Sequence, residues 1–238
     1  MCRGAISEQS RILAVRVERP EVAGQRMTIS GRFLSVEGGE GVCKSTQIVA
    51  LADAIRQLGL DVVITREPGG TPGAEAIRQL LLGGSDERWL PRAEALMFAA
   101  ARSDHVERLI RPALESGKWI ISDRFIDSSR AYQGAGSGLS DADLLELHRV
   151  GSNGLMPDRT LVLRLNAAEA AKRAAIRDDS RPDRIGGREP SFHADVDIAF
   201  FGYAENDPDR VRLIDAAGSA EDVTARLMAE IADLLLTR

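Results

Sequence analysis

The chain has 238 residues, of which 44% are hydrophobic, 28% charged and 4% aromatic, enough apolar material for a real core and too much for general disorder. No apolar run approaches the roughly 20 residues of a membrane-spanning helix. A net charge of −5, from 31 basic and 36 acidic residues, excludes a general polyanion binder and leaves room for a local pocket that takes a small anion.

Residues 1–31 stand apart from the rest of the chain, and Met27 lies just before the first strand. They read as an N-terminal extension, either a flexible arm or a product of start-codon choice, and they lack the apolar core of a signal peptide. Two cysteines, Cys2 and Cys43, are too few for a disulfide framework or a cysteine zinc site, so a reducing, cytoplasmic setting is expected. Short runs rich in Val, Ile and Leu at 33–36, 62–65, 119–122, 160–165 and 211–214 predict strands buried on both faces. Between them, helical patterns fall near 44–58, 73–82, 91–116, 141–151, 167–178 and 191–206, with a last helix over about 220–236. Gly59 and Gly117 sit where helices end, and Ser140 with Asp143, and Asn166 with Glu169, sit where helices begin. Strands alternating with helices imply a parallel sheet with right-handed crossovers, hence one α/β domain over 32–238.

The first strand leads into Gly38-Gly39-Glu40-Gly41-Val42-Cys43-Lys44-Ser45-Thr46, and a helix comes next. This fits G-x-x-x-x-G-K-[ST], a loop whose backbone N–H groups and helix N-terminus cradle phosphates. Lys44 would reach the terminal phosphates of ATP, and the Ser45 hydroxyl would meet Mg²⁺. Cys43 departs from the template. Glycine stands at that position because the backbone approaches phosphate closely and can need positive φ. A cysteine held there costs on the order of 1–3 kcal/mol and is expected to weaken ATP binding or turnover. From the residues alone the segment could also be a glycine-rich strand–helix turn with a buried cysteine.

Three further segments narrow the reading: Thr65-Arg66-Glu67-Pro68-Gly69-Gly70-Thr71-Pro72, Leu96-Met97-Phe98-Ala99-Ala100-Ala101-Arg102, and Asp123-Arg124-Phe125-Ile126-Asp127-Ser128-Ser129 with Ala131-Tyr132-Gln133-Gly134 close behind. In this order the chain resembles bacterial thymidylate kinase, a P-loop nucleoside-monophosphate kinase, from about Arg32 onward and most weakly after Asp178. The resemblance implies a five-stranded parallel sheet flanked by helices, with a mobile lid at about 172–187. It implies transfer of the γ-phosphoryl of ATP to dTMP with Mg²⁺, in dTTP biosynthesis, by a cytoplasmic homodimer without nucleic-acid or membrane partners.

The same resemblance suggests roles. Phe98, on its own a core side chain of an amphipathic helix, would stack on thymine. Arg102, one turn later on the same face, would donate to the thymine carbonyl. Arg78 and Arg124 would hold the dTMP phosphate, although Arg124 could instead pair with Asp127 at the sheet edge. Asp123, ending an apolar strand, would order Mg²⁺ through water or orient Arg124. Ser129 and Gln133 would meet the thymine edge, and Tyr132 would pack at C2′ and exclude a ribose hydroxyl. Glu40 would accept from the sugar 3′-OH. Arg173 and Arg177, followed by Arg184, would supply the catalytic arginines of the lid. The family often shows Asp-Arg-x-Glu after the lid; here Asp183-Arg184-Ile185 is followed by Gly186-Gly187, so lid anchoring must differ. Glu37 reads as structural support. His105, His148 and His193 are scattered, without metal-ligand spacing. Two other readings are a thymidylate-kinase-like binding protein that has lost turnover through Cys43, and a related deoxynucleotide kinase.

Overall fold

The structure, a computed structural model, describes residues 31–39, 41–84, 88–134, 138–166 and 184–236. All five expected strands form: β1 Phe33–Gly38, β2 Val62–Arg66, β3 Trp119–Asp123, β4 Arg159–Arg164 and β5 Val211–Asp215. They pair in parallel in the order β2-β3-β1-β4-β5. The helices are α1 Lys44–Gln57, α2 Pro72–Leu82, α3 Pro91–His105, α4 Arg111–Glu115, α5 Ile126–Gly134, α6 Asp141–Ser152, α7 Pro190–Asn206, α8 Ala220–Ala229 and α9 Ala232–Leu236. The expected helix at 167–178, the Glu169 partner of Asn166 and the extension before residue 31 lie outside the described residues.

Strand alternation divides the sheet into two faces. Leu34, Val36, Trp119, Ile121, Leu161 and Leu163 pack against α1 and α8. Phe33 and Ile120 point the other way, with Val106, Ile110 and Phe125. Val162 shares that second side with Ala131, Tyr132 and Phe200. Ser35 and Glu37 alternate with Leu34 and Val36 and therefore fall on this side too, where both are fully buried.

Several helix ends agree with the sequence signals. Gly59 and Gly117 adopt φ of 81° and 80° just past α1 and α4. Ser140 and Asp143 form a reciprocal capping box at the start of α6. Two expected helices are not continuous. The run predicted over 91–116 passes through a π turn at Val106–Ile110. Pro112 comes next, with no N–H to give to the carbonyl four residues back, and the wider turn absorbs that register change. The helix predicted over 220–236 is interrupted where Ile231 N bonds back to Met228 O, which sinks Ile231 into the core. The sequence marks α5 only as a motif after β3; most of its side chains, polar ones included, are buried.

Candidate active site

The C-terminal ends of β1 and β3 open into a cleft of about 320 Å³. One end is the loop from β1 to α1. An added Cβ at Gly38 would overlap Leu163 O, and Gly38 takes a φ of 130°, so glycine is required there. Cys43 takes φ 59° and ψ 37°, the left-handed conformation expected of a position that favours glycine. Its thiol turns back toward Gly41 O at 3.8 Å. Lys44 Nζ donates to Gly38 O at 3.1 Å and Gly39 O at 2.8 Å, tying the loop to its own start. Gly41, Val42, Cys43, Lys44 and Ser45 line the cleft, whereas Gly38, Gly39 and Thr46 do not. Glu40 lies outside the described residues, as do Arg173 and Arg177.

The other end gathers the remaining candidates. Arg78, Phe98, Arg102, Asp123, Arg124, Ser129, Tyr132 and Gln133 all line the same cleft. Arg102 is buried, donating from Nε to Glu67 Oε2 at 2.8 Å and from Nη2 to Ser129 Oγ at 2.6 Å. His105 approaches the other Glu67 oxygen through Nδ1 at 3.0 Å and Thr65 Oγ1 through Nε2 at 2.7 Å. The guanidinium of Arg102 is therefore fixed in orientation, and neither its Nε nor its Nη2 is left to swing toward solvent. Arg78 Nη1 donates to Pro68 O at 2.7 Å.

Arg124 succeeds β3 with φ 70° and lies 4.9 Å from the Tyr132 ring centre. The pairing of Arg124 with Asp127 does not occur: Asp127 is taken by Arg130, Arg210 and Thr160, while Arg124 Nη1 donates to Ser128 Oγ. Burial opposes ionisation of Asp127, but hydrogen bonds from Arg210 and Thr160 outweigh it and hold the carboxyl below its usual range. Asp123 keeps a buried Oδ1 without a hydrogen-bond partner among the described residues. That oxygen and the Ser45 hydroxyl, beside a phosphate-binding loop, suit a hard cation that takes its other ligands from phosphates and water. Among the described residues no cluster of three or more His, Cys, Asp or Glu could hold a metal without such help.

Glu94, on α3, marks a second polar centre and is not legible from sequence as a site residue. It is 1% exposed and accepts from Gln133 Nε2 at 3.0 Å, from Arg188 Nη2 at 2.8 Å and from Arg184 Nη2. Burial resists its ionisation, yet the hydrogen bonds from Arg184 and Gln133 keep its carboxyl below the usual range. Arg184, third in line as a lid arginine, is thus buried and also donates to Leu81 O at 2.9 Å; it anchors the chain and is absent from the cleft wall. Arg184 and Arg188 fasten the stretch around Gly186 to α3 without a carboxylate at 186. Arg66, Glu67, Pro68, Leu82, Phe125, Ser128, Ile185, Gly186 and His193 also line the cleft, several of them inside motifs in which the sequence singles out only their neighbours.

A family model described as thymidylate kinase matches residues 36–227. A thymidylate kinase of Rhizorhabdus wittichii is 56% identical over 205 residues, covering 86% of this chain and 99% of the relative. A thymidylate kinase of Bradyrhizobium diazoefficiens is 44% identical over 215 residues, covering 90% of this chain and 94% of the relative.

Proposed function

The chain belongs to the thymidylate kinase family, and we propose that it moves the γ-phosphoryl group of ATP to dTMP, releasing dTDP and ADP. The observation that carries this reading is one cleft with a phosphate loop at one end and, at the other, an aromatic face, a pinned arginine and two polar side chains. An oxygen of the dTMP phosphate forms a bond to the γ-phosphorus as the bond from that phosphorus to the β–γ bridging oxygen breaks. Such a transfer depends mostly on alignment and charge stabilisation.

Phe98 stacks on thymine, while Arg102, Ser129 and Gln133 read its edge. Glu67 and Glu94 support this assignment by holding Arg102 and Gln133 in place. Arg78 and Arg124 take the acceptor phosphate, and Tyr132 closes on C2′ of the sugar, so deoxy substrates are preferred. Glu40 accepts from the 3′-OH, and Arg173 and Arg177 bring positive charge to the transferring group. Lys44 binds the donor phosphates with the loop amides. Ser45 and Asp123 would hold Mg²⁺, directly or through water, and the ion would supply positive charge against the phosphates.

No helix among the described residues is long and apolar enough to cross a membrane, which supports cytoplasmic action. Leu96 on α3 and Val150 on α6 are 56% and 69% exposed on helices that pack together, which supports a homodimer. The intact acceptor set speaks against a binding protein without turnover. The test is ATP-dependent conversion of dTMP, dUMP, dCMP and ribothymidine monophosphate, with wild type and Cys43→Gly. Turnover confined to thymine deoxynucleotide in both proteins is expected. Silence of the wild type with activity restored by glycine would favour the impaired reading, and silence of both would overturn the assignment.

A further inference from the structure

Glu37 lies one residue before the first glycine of the phosphate loop, yet its hydrogen bonds run to the acceptor side. Its side chain is fully buried. Oε1 accepts from Ser35 Oγ at 2.7 Å and from the Phe125 N–H at 2.8 Å; Oε2 accepts from Ser128 Oγ at 2.5 Å. Among the described residues no cationic side chain bonds to it directly. Arg124 Nη1 reaches the same Ser128 Oγ at 3.1 Å, so one hydroxyl stands between the carboxylate and the guanidinium.

The turn that this carboxylate braces is strained. Arg124 is a non-glycine residue with φ 70°, a conformation that persists only where surrounding contacts determine it. Those contacts are the Arg124 N–H on Val36 O at 3.0 Å, Ser122 Oγ on Arg124 O at 2.7 Å and the Phe125 N–H on Glu37. A carboxylate is an expensive way to fill this space. Burial pushes Glu37 up to about 7 against the opposing charge of Arg124, so a neutral isostere would fold at least as readily.

We propose that Glu37 is a positioning residue for the acceptor phosphate: through Ser128 Oγ and the Phe125 N–H it fixes the left-handed Arg124 turn and aims the guanidinium across Tyr132 into the cleft. This rests on the reading of Arg124 as a ligand of the dTMP phosphate.

Steady-state kinetics with dTMP and ATP varied separately, together with thermal melts, test it on wild type, Glu37→Gln, Ser128→Ala and Arg124→Ala. Glu37→Gln is expected to raise KM for dTMP about tenfold, since small misplacements of a binding group are costly. KM for ATP should stay within about twofold, and the melting temperature should not fall. Ser128→Ala should move KM for dTMP in the same direction by less. An unchanged KM for dTMP in both variants, with Arg124→Ala raising it, would overturn the positioning role alone. Equal losses toward both substrates with a lowered melting temperature would also overturn it, as the mark of a purely structural residue. An unchanged KM for dTMP in Arg124→Ala would overturn the phosphate reading and the positioning role with it.

Discussion

On the acceptor side of the cleft, buried carboxylates grip the side chains that line it: Glu67 holds Arg102, Glu94 holds Gln133, and Glu37 reaches Arg124 through Ser128. On the phosphate-loop side, Lys44 Nζ holds two glycine carbonyls, and Cys43 stands in a left-handed turn without a side-chain cap. A grip made by backbone depends on conformation more than on side-chain identity. That explains how cysteine stands where glycine is usual, provided the chain pays for its φ. On the proposed reading, a grip made by side chains sets the choice of base, and single substitutions are expected to break it.

The largest expected effect tests the donor side. Lys44→Ala should lower turnover about 10²–10³-fold, the usual loss on removing one positioned charge from a transferring group, and should leave dTMP affinity unchanged. Next comes the acceptor side. Glu94→Gln leaves Arg184 and Arg188 facing a neutral amide, with side-chain exposures of 1% and 21%. Breaking such a pair costs about 3 kcal/mol, so melting should drop by about 10 °C in calorimetry, with KM for dTMP raised because Gln133, Arg184 and Arg188 then compete for one acceptor oxygen.

The pH dependence of stability separates the buried groups further. Burial raises Glu37 from 4.5 to about 7, against the lowering charge of Arg124. Its contribution to stability is present below pH 4.5 and is lost as pH rises through 7. His148 is lowered by burial from 6.5 to about 4, so its contribution is present above pH 6.5 and is lost as pH falls through 4. The stability of Glu37→Gln relative to wild type, read from denaturant melts, should therefore climb from pH 5 to pH 8, by at most about 3 kcal/mol. A flat difference would remove Glu37 as the source. The smallest effect belongs to Cys43→Gly. Relief of the left-handed conformation, about 1–2 kcal/mol, is partly offset by glycine's greater chain entropy, about 0.5–1 kcal/mol. A rise of about 2 °C in melting temperature is expected, with KM for dTMP unchanged.

The parallel sheet is legible in the sequence because its strands are short runs rich in Val, Ile and Leu, and the loop after β1 because its spacing is set by phosphate geometry. Helix α5 is not legible as a helix: Asp127, Ser128, Ser129 and Gln133 are buried alongside Ile126, Ala131 and Tyr132, so no polar face marks its period. Apart from Thr46, the candidates from Lys44 to Gln133 line one cleft, because the motifs that carry them lie on the loops and helices around it. Their partners are hidden because Glu94 and Arg188 lie far apart in sequence, and nothing in composition tells which of many arginines a buried glutamate will meet. Asp127 shows the same limit from the other direction: Arg124 and Arg130 both lie three residues away, and it is Arg130, with the distant Arg210, that takes the carboxylate.

The difference between the two sides of the cleft is tested most directly by calorimetric titration of dTMP into protein without ATP or Mg²⁺. A preassembled acceptor half predicts that wild type and Lys44→Ala bind dTMP with equal affinity and that dCMP binds far more weakly. Binding of dTMP that appears only with ATP present, or that is lost in Lys44→Ala, would contradict it.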